Sequence, residues 1–555
     1  MKTLILAAGS PDYRNMAMTH TGSQLMAVVK GRPIIAWVVG DFLKHAEGAA
    51  TILTRQDDVD LIAFLSQLYD HNPRITVSPQ PVTPEDSILQ STLHGLTDID
   101  SHSRTPVRII LGDTLIKNVP YGSTDAICTS VTHDLSEKWC LTKPDESGRI
   151  ITFNDKIKGL NTSEYHTVAG RYEFADGFSF KTAVLEAIAG NKKELSAALT
   201  QYAKTRPFTA VQVEPHNWID FGHLEGLAKA NLGLTEARSF NSIHINTPVP
   251  VLTKRSSNVK KLEQEAYWYN NLPKNLQTLA PRVLEFRQVE GGAELDMEYY
   301  GYPTLAEKFV YAHLSGTFWQ MVMESLFTLI GHFTKVPYSL QPNVIDNIYA
   351  GKTFNRLTQL CEQNSFWKDL LSLPEINFNG RKLAGLPQLE NHIRMKSAQL
   401  AANGRGSLVH GDLCFNNILF DPATGVIKLI DPRGEFGEGI SIYGDIRYDI
   451  AKLRHSFCGR YDHIVEGLFS LSHDISGTEV QLNFADHAVD YNEAMFDTLV
   501  IQNGYNPHDI RFIESLLFLS MLPLHNDSLQ KQKAFFYQGL AKLNDSYQIQ
   551  QEKVI

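Results

Sequence analysis

Ser407-Leu-Val-His-Gly-Asp-Leu-Cys-Phe-Asn-Asn-Ile-Leu-Phe420, followed by Val426-Ile-Lys-Leu-Ile-Asp-Pro-Arg-Gly434, is the stretch that decides the fold of the second half of the chain. It reads His-Gly-Asp, four residues, Asn, a short apolar strand, a turn at Pro422 to Gly425, a second apolar strand, then Asp. Two antiparallel strands of this kind hold Asp412, Asn417 and Asp431 at one end of a hairpin. Phosphoryl transfer needs a carboxylate at the acceptor hydroxyl and two metal ligands at the phosphates of ATP. Asp412 fits the first role, as catalytic base, and Asn417 and Asp431 fit the second, as Mg²⁺ ligands. The competing reading is a hairpin with chance polar residues, and three groups at these spacings argue against it.

With Asp431-Pro-Arg-Gly434 where protein kinases have Asp-Phe-Gly, the set His410, Asp412, Asn417 and Asp431 resembles the aminoglycoside phosphotransferase and choline kinase family. The resemblance implies an α+β bilobal protein-kinase-like domain, placed at residues 243–545. Pro248 to Arg255 predicts a strand, and Val259 to Leu272 a helix with Leu262, Ala266 and Tyr269 on one face. In that fold Lys254 holds the α- and β-phosphates and pairs with a carboxylate on the next helix. Glu265 is suitably spaced, Glu263 is the fallback, and Lys260 and Lys261 compete with Lys254. The same run, Lys260-Lys-Leu-Glu-Gln-Glu265, also reads as a solvated helix face laced by i,i+4 pairs.

Met297-Glu-Tyr299 ends a predicted strand and reads as the hinge, where backbone groups of Glu298 and Tyr299 meet adenine; a plain edge strand is the alternative. Instead of a Gly-rich loop, Ser256-Ser-Asn258 follows the first strand. Residues 303 to 400 read as mostly helical, and the rest beyond Leu453, to about 540, as helical. Tyr443 to Leu453 resembles the family's Asp-x-Ala helix, in which Asp449 caps the helix or braces the catalytic loop and Asp445 is a helix-start residue. Arg433, Arg447 and His455 are candidates for an anionic-substrate pocket, or else ion-pair residues.

In the first half, strands at Thr3 to Gly9, Ala49 to Leu53, Ile75 to Ser78 and Arg108 to Asp113 alternate with helices at Gly31 to Lys44, Val59 to Tyr69 and Asp86 to Leu96. Such alternation implies a doubly wound α/β sheet with its site at the C-terminal ends of the strands. Leu6-Ala-Ala-Gly9, Leu111-Gly-Asp113, Trp139 to Lys156, Val168 to Phe174 and Asn217-Trp-Ile-Asp-Phe-Gly222 together resemble the sugar-phosphate nucleotidyltransferases, a glycosyltransferase-A-like Rossmann relative. The resemblance covers residues 1 to about 233, a domain set at 1–235 with the boundary near 234–245. It implies that Gly9 opens the nucleotide loop and that Asp113 and Asp220 are metal ligands. Two departures stand out. The loop is Gly9-Ser-Pro-Asp-Tyr-Arg14, where Arg14 is left to fill the family's loop-arginine role. The family's phosphate-binding lysine is replaced by Gln24, with Lys30 or Arg32 as substitutes. Three readings stay open: an active transferase, a binding-only relic, and an unrelated Rossmann-like domain.

A chain of 555 residues exceeds what one core supports, so two or three domains are expected. A formal net charge of −10 argues against a nucleic-acid partner. Cys128, Cys140, Cys361, Cys414 and Cys458 form no CxxC pair, which points away from zinc and disulfides and toward reduced thiols in a cytoplasmic protein. The apolar start is too short for a signal peptide, and no run approaches the ~20 apolar residues of a membrane span. The expected partners are nucleotides and a small-molecule substrate, with Mg²⁺, ATP and a second NTP; a homo-oligomer is left open. Both halves point to a bifunctional kinase and nucleotidyltransferase acting on a sugar, polyol or amino alcohol for capsule or surface polysaccharide synthesis. The alternatives are a kinase with a ligand-binding first domain, and a non-catalytic scaffold.

Overall fold

A computed structural model describes residues 1–9, 22–70, 72–83, 86–102, 104–122, 124–131, 136–222, 241–246, 250–312, 314–404, 406–437, 439–474, 477–484 and 489–552, with the backbone alone at 241–246, 489–491 and 549–552. The chain divides into two compact units, Met1–Glu236 with Tyr311–His313, and Ala237–Val310 with Leu314–Ile555. The segment expected to join them, 234–245, falls outside the described residues as far as 240.

The strands of the first unit that matter for the site are β1 (Lys2–Ala7), β2 (Ala50–Arg55), β3 (Ile75–Gln80), β4 (Val107–Leu111), β5 (Thr114–Ile116), β6 (Ala126–Val131), β7 (His166–Phe174), β8 (Phe208–Gln212) and β9 (Trp218–Asp220). β4, β1, β2 and β3 lie side by side in that order and are parallel. Leu4, Ile5, Ile52 and Ile109 are fully buried, as apolar runs covered on both faces should be. Helices α1 (Ile34–His45), α2 (Val59–Tyr69) and α3 (Ile88–Gly95) connect these strands. Asp58 starts α2 by accepting from the Leu61 amide, and Ser87 starts α3 by accepting from the Gln90 amide.

The doubly wound expectation needs amending beyond β4. β7 runs antiparallel between β4 and β6, and β8 returns parallel to β6, so the sheet is mixed. β7 shifts register between Val168 and Tyr172, where Gly170 adopts φ 86° against Thr114. β5 and β9 form a separate antiparallel ladder.

In the second unit, β10 (Asn241–Asn246), β11 (Val251–Ser256), β12 (Val283–Val289) and β13 (Gly292–Glu298) form an antiparallel sheet in the order 10-11-13-12. Helix α4 (Val259–Asn271) buries Leu262, Ala266, Trp268 and Tyr269, and Asn258 caps it by accepting from the Lys261 amide. The hairpin of the decisive stretch is β14 (Ile418–Phe420) and β15 (Ile427–Leu429), followed by the buried helix α5 (Ile446–Phe457). The helical reading beyond Leu453 is incomplete, and the mostly helical stretch before 400 also carries a hairpin. Glu375–Phe378 pairs with Arg381–Ala384 and with Glu479–Asn483, which pairs in turn with Ser470–His473. The missed signal was Asn379-Gly380, at φ 49° and 76°, a two-residue hairpin turn of the type that requires positive φ. Among the described residues, no helix is long and apolar enough to cross a membrane.

Candidate functional sites

In the first unit two cavities open where β1 and β4 end. One, of about 410 Å³, is lined by Leu6 to Gly9, by Gly22 to Leu25, and by Arg55, Asp57, Asp58 and Asp86. The other, of about 320 Å³, takes in Lys138, Trp139, Lys156, Tyr172, Trp218 and Asp220. Gln24, Ile88, Leu111 and Asp113 line both.

Asp113 and Asp220 are brought together by the β5–β9 ladder. Thr114 pairs with Asp220, and the Phe221 amide donates to the Asp113 carbonyl at 2.8 Å. A Cβ on Gly222 would lie 3.0 Å from Asp113 Oδ2 and 3.3 Å from Asp220 Oδ1. The missing side chain keeps open the small space onto which both carboxylates face, and oxygen donors of this kind suit Mg²⁺. Among the described residues no three His, Cys, Asp or Glu side chains converge.

The cations of this unit are placed less favourably. Arg14 lies outside the described residues. Lys30 and Arg32 line neither cavity, and the Arg32 guanidinium sits over the Trp37 ring at 5.4 Å. Arg55, at the end of β2, does line the first cavity, but Asp57 holds it at 2.9 and 2.7 Å. Arg55 was not singled out from sequence; its place at a strand end beside the loop was the available signal. Lys156 lines the second cavity in ion-pair contact with Glu194 at 3.1 Å.

In the second unit the His-Gly-Asp loop is fixed from behind. His410 is fully buried, with ring Nε2 3.0 Å from the Ile430 carbonyl. Burial pushes its imidazole down to about 4, so it is neutral at physiological pH. Asp449, on α5, accepts the amides of His410 at 2.6 Å and Gly411 at 2.9 Å. Asp445 caps α5, accepting from the Arg447 amide at 3.1 Å. Of the two roles open to Asp449, the loop brace is therefore the one observed.

Asp412 Oδ1 lies 2.8 Å from Lys452 Nζ. Asn417 Nδ2 donates to the Asp412 carbonyl at 2.8 Å and to its Oδ2 at 3.3 Å, so the amide is oriented by Asp412. Burial opposes ionisation of Asp412, but Lys452 and Arg433 outweigh it and hold the carboxyl well below its usual range. Lys452 was not marked from sequence. Its signal was the i,i+3 spacing from Asp449, which puts both on one face of α5.

Asp431, at φ 54°, follows β15, and the Tyr269 hydroxyl accepts from its amide at 3.1 Å. The loop presses on α4 at Gly434, where a Cβ would meet the Gln264 carbonyl at 1.9 Å. Lys254 Nζ lies 2.6 Å from both Glu265 Oε2 and Asp431 Oδ1. The Lys254 and Glu265 side chains are 9% and 4% exposed while that of Asp431 is 48% exposed, so the chain of charges runs from the interior toward solvent. Burial raises Glu265 to about 7 despite Lys254. The solvated-face reading of 260–265 thus fails at Gln264 and Glu265, which are buried.

At the expected hinge, the Glu298 amide donates to the Arg282 carbonyl at 3.0 Å and the Tyr299 amide to the Pro250 carbonyl at 2.7 Å. Both amides are engaged, so an adenine edge at Glu298 and Tyr299 would find carbonyls there and not these donors. Arg447 is bound to Asp445 and to the Leu400 carbonyl, and His455 is fully buried against Tyr461 and Phe518. Neither is available to a substrate pocket.

No protein-family model and no curated protein matches the chain. Its N-terminal part is similar to solved structures of about its own length. A nucleoside-diphosphate-sugar pyrophosphorylase from Vibrio cholerae RC9 is 15% identical, at a TM-score of 0.35, over 42% of this chain and 99% of that one. A UDP-glucose pyrophosphorylase complexed with UDP-glucose is 18% identical, at 0.35, over 41% and 96%. A CTP:phosphocholine cytidylyltransferase from Streptococcus pneumoniae is 12% identical, at 0.33, over 41% and 97%. At these values the likenesses carry no functional argument.

Proposed function

We propose that the chain is a bifunctional transferase, with a nucleotidyltransferase domain at 1–235 and a kinase domain at 243–545. The second domain phosphorylates a hydroxyl of a small metabolite with ATP. The first joins a phosphorylated metabolite to a nucleotide from a second NTP, releasing pyrophosphate. The product class is a nucleotide conjugate of the kind used for capsule or surface polysaccharide. The reading places the protein in the cytoplasm, consistent with five cysteines that are all unpaired.

The observation that carries the kinase reading is the ion chain Glu265–Lys254–Asp431 in one unit with Asp412 and Asn417. Asp412 accepts the proton of the attacking hydroxyl. Lys254, oriented by Glu265, exchanges Asp431 for nucleotide phosphates. Asn417 and Asp431 are the residues that would hold Mg²⁺, which supplies charge neutralisation on the phosphates. In the first domain Asp113, which lines both cavities, and Asp220, which lines the second, are the residues that would play that holding role.

A second reading, a kinase whose first domain only binds its ligand, draws on a specific observation. Gln24 is neutral, and Asp57, Asp58 and Asp86 line the nucleotide-side cavity with Arg55 as its sole cation among the described residues. Such a lining repels a triphosphate. Mg²⁺-dependent turnover against sugars, polyols, amino alcohols and hydroxy acids separates the readings, with ADP and pyrophosphate followed independently. ADP together with NTP-specific pyrophosphate supports the bifunctional enzyme. ADP alone, with no pyrophosphate from phosphorylated acceptors, selects the second reading. Neither product overturns both.

A further inference from the structure

Beside Asp412 lies a group of cations that the phosphates of ATP do not account for. Lys352 opens the helix Lys352–Gln363, and Arg356 stands one turn further on. Lys352 Nζ donates to the Tyr448 hydroxyl at 3.1 Å, and Arg433 Nη1 reaches the same oxygen at 3.4 Å. Both also stack over the Tyr448 ring, at 5.3 and 5.6 Å. Tyr448 is 2% exposed and sits on α5 one turn before Lys452, the partner of Asp412. Among the described residues, no carboxylate lies within ion-pair distance of Lys352, Arg356 or Arg433. The nearby Glu435 is bound instead by Gln264 at 2.6 Å.

Two cations gathered on one phenol, with Arg356 a turn away, repel each other, and more strongly where water is scarce. Asp412, which Lys452 already pairs, and the Tyr448 phenol offset them only in part, and among the described residues Lys352 has no carboxylate of its own, so an anionic ligand would complete the balance. A second feature marks the same place: a single π-helical turn, Asn347–Gly351, directly precedes Lys352. Such turns shift the residues after them out of helical register and are frequent at functional sites.

We propose that the acceptor of the Asp412 site is an anionic hydroxy compound, its carboxylate or phosphate held by Lys352 and Arg433 and its hydroxyl presented to Asp412. This rests on the kinase reading and narrows it, since a cationic amino alcohol is excluded and a neutral polyol leaves the cations unmatched. In the reaction the acceptor O–H proton passes to Asp412. The freed oxygen forms a bond to the γ-phosphorus of ATP, the bond from that phosphorus to the β,γ-bridging oxygen breaks, and ADP leaves.

ADP release is measured with glycerate and glycerol phosphate as anionic acceptors, glycerol as neutral and choline as cationic, for the full-length wild type, Lys352→Gln and Lys352→Arg. The expected result is turnover of anionic acceptors only. Lys352→Gln should raise their KM by ~10- to 100-fold with kcat largely kept, the worth of one charged hydrogen bond, and Lys352→Arg should recover part of that loss. Glycerate and glycerol phosphate as separate arms tell a carboxylate from a phosphate. Turnover of glycerol or choline at equal kcat/KM, or an unmoved KM in Lys352→Gln, overturns the proposal. If no acceptor yields ADP, the kinase reading fails, and thermal shifts with glycerate, glycerol phosphate and inorganic phosphate then decide the anion site by themselves. A Tm rise lost in Lys352→Gln supports the site, and no rise with any of the three overturns it too.

Discussion

Lys254→Met should destabilise the second unit by ~3 kcal/mol or more well above neutral pH, the cost of breaking a buried pair, and by much less in mild acid. The reason lies in Glu265, which burial raises from 4.5 to about 7 even with Lys254 beside it. Each unit between folded and unfolded pKa is worth ~1.36 kcal/mol, so above neutrality Glu265 costs folding ~3 kcal/mol. That cost is what remains with Lys254 in place; without Lys254 the carboxyl would be pushed higher still and the cost above neutrality would be larger. Burial lowers the pKa of Lys254, but Asp431 and Glu265 outweigh burial and raise it, so its pairing favours the folded state. Between 4.5 and about 7 the folded state keeps a proton that the unfolded state has lost, so the Glu265 contribution becomes less favourable as pH rises through that window. Removing Lys254 removes the offset and extends the window upward. Below 4.5 the carboxyl is neutral in both states, and only lost packing remains.

Replacing both partners with apolar groups, Lys254→Met with Glu265→Leu, should restore most of the stability, since neither desolvation nor attraction is left. Neither variant should release ADP. Hydrogen-exchange mass spectrometry across a urea series, read on peptides from Val259–Asn271 and Ile446–Phe457, reports the second unit separately from the first. A Lys254→Met cost that does not change with pH, or a double variant no more stable than the single, would refute the desolvated-carboxylate reasoning.

Four further outcomes are expected. Asp412→Asn should lower kcat for ADP release by ~100-fold or more through loss of the base, with pyrophosphate release from a supplied phosphorylated acceptor unchanged. Asp220→Asn should do the reverse, abolishing pyrophosphate release by removing one of two carboxylates at Gly222 while ADP release persists. Gln24→Lys should raise the pyrophosphate-forming rate by ~10-fold if phosphate charge limits the first unit, the worth of one charged hydrogen bond. A stopped-time assay at saturating NTP checks it, and no change would place the limitation elsewhere. Burial, with Arg433 and Arg356 nearby, brings Lys352 down to about 8 against the opposing Tyr448. Tyr448 itself, which burial raises, is brought to about 7 by Arg433, Lys352 and Lys452. Lys352 therefore loses its charge as pH rises through about 8, and the KM of an anionic acceptor should climb above that pH.

What the sequence by itself determined is what short-range spacing controls. The helix at 59–69 and the hairpin around Pro422 to Gly425 follow from apolar periodicity and turn chemistry, and the capped start of the 259 helix follows from Asn258. His410, Asp412 and Asn417 were legible together for the same reason, because a few residues of chain hold them at one hairpin end. Only the tertiary structure decided which charges meet. Lys254 reaches Asp431 across 177 residues, and Lys452, not Arg447 or His455, faces Asp412. Glu265 and Glu263 are equally polar and two residues apart, yet Glu265 alone is buried, because packing against Tyr269 and the loop at Asp431 sets its dielectric. Likewise no local pattern tells that β7 enters its sheet reversed. Side-chain spacing is a property of consecutive residues. Burial and long-range pairing, which set charge and pKa here, belong to the whole packed chain.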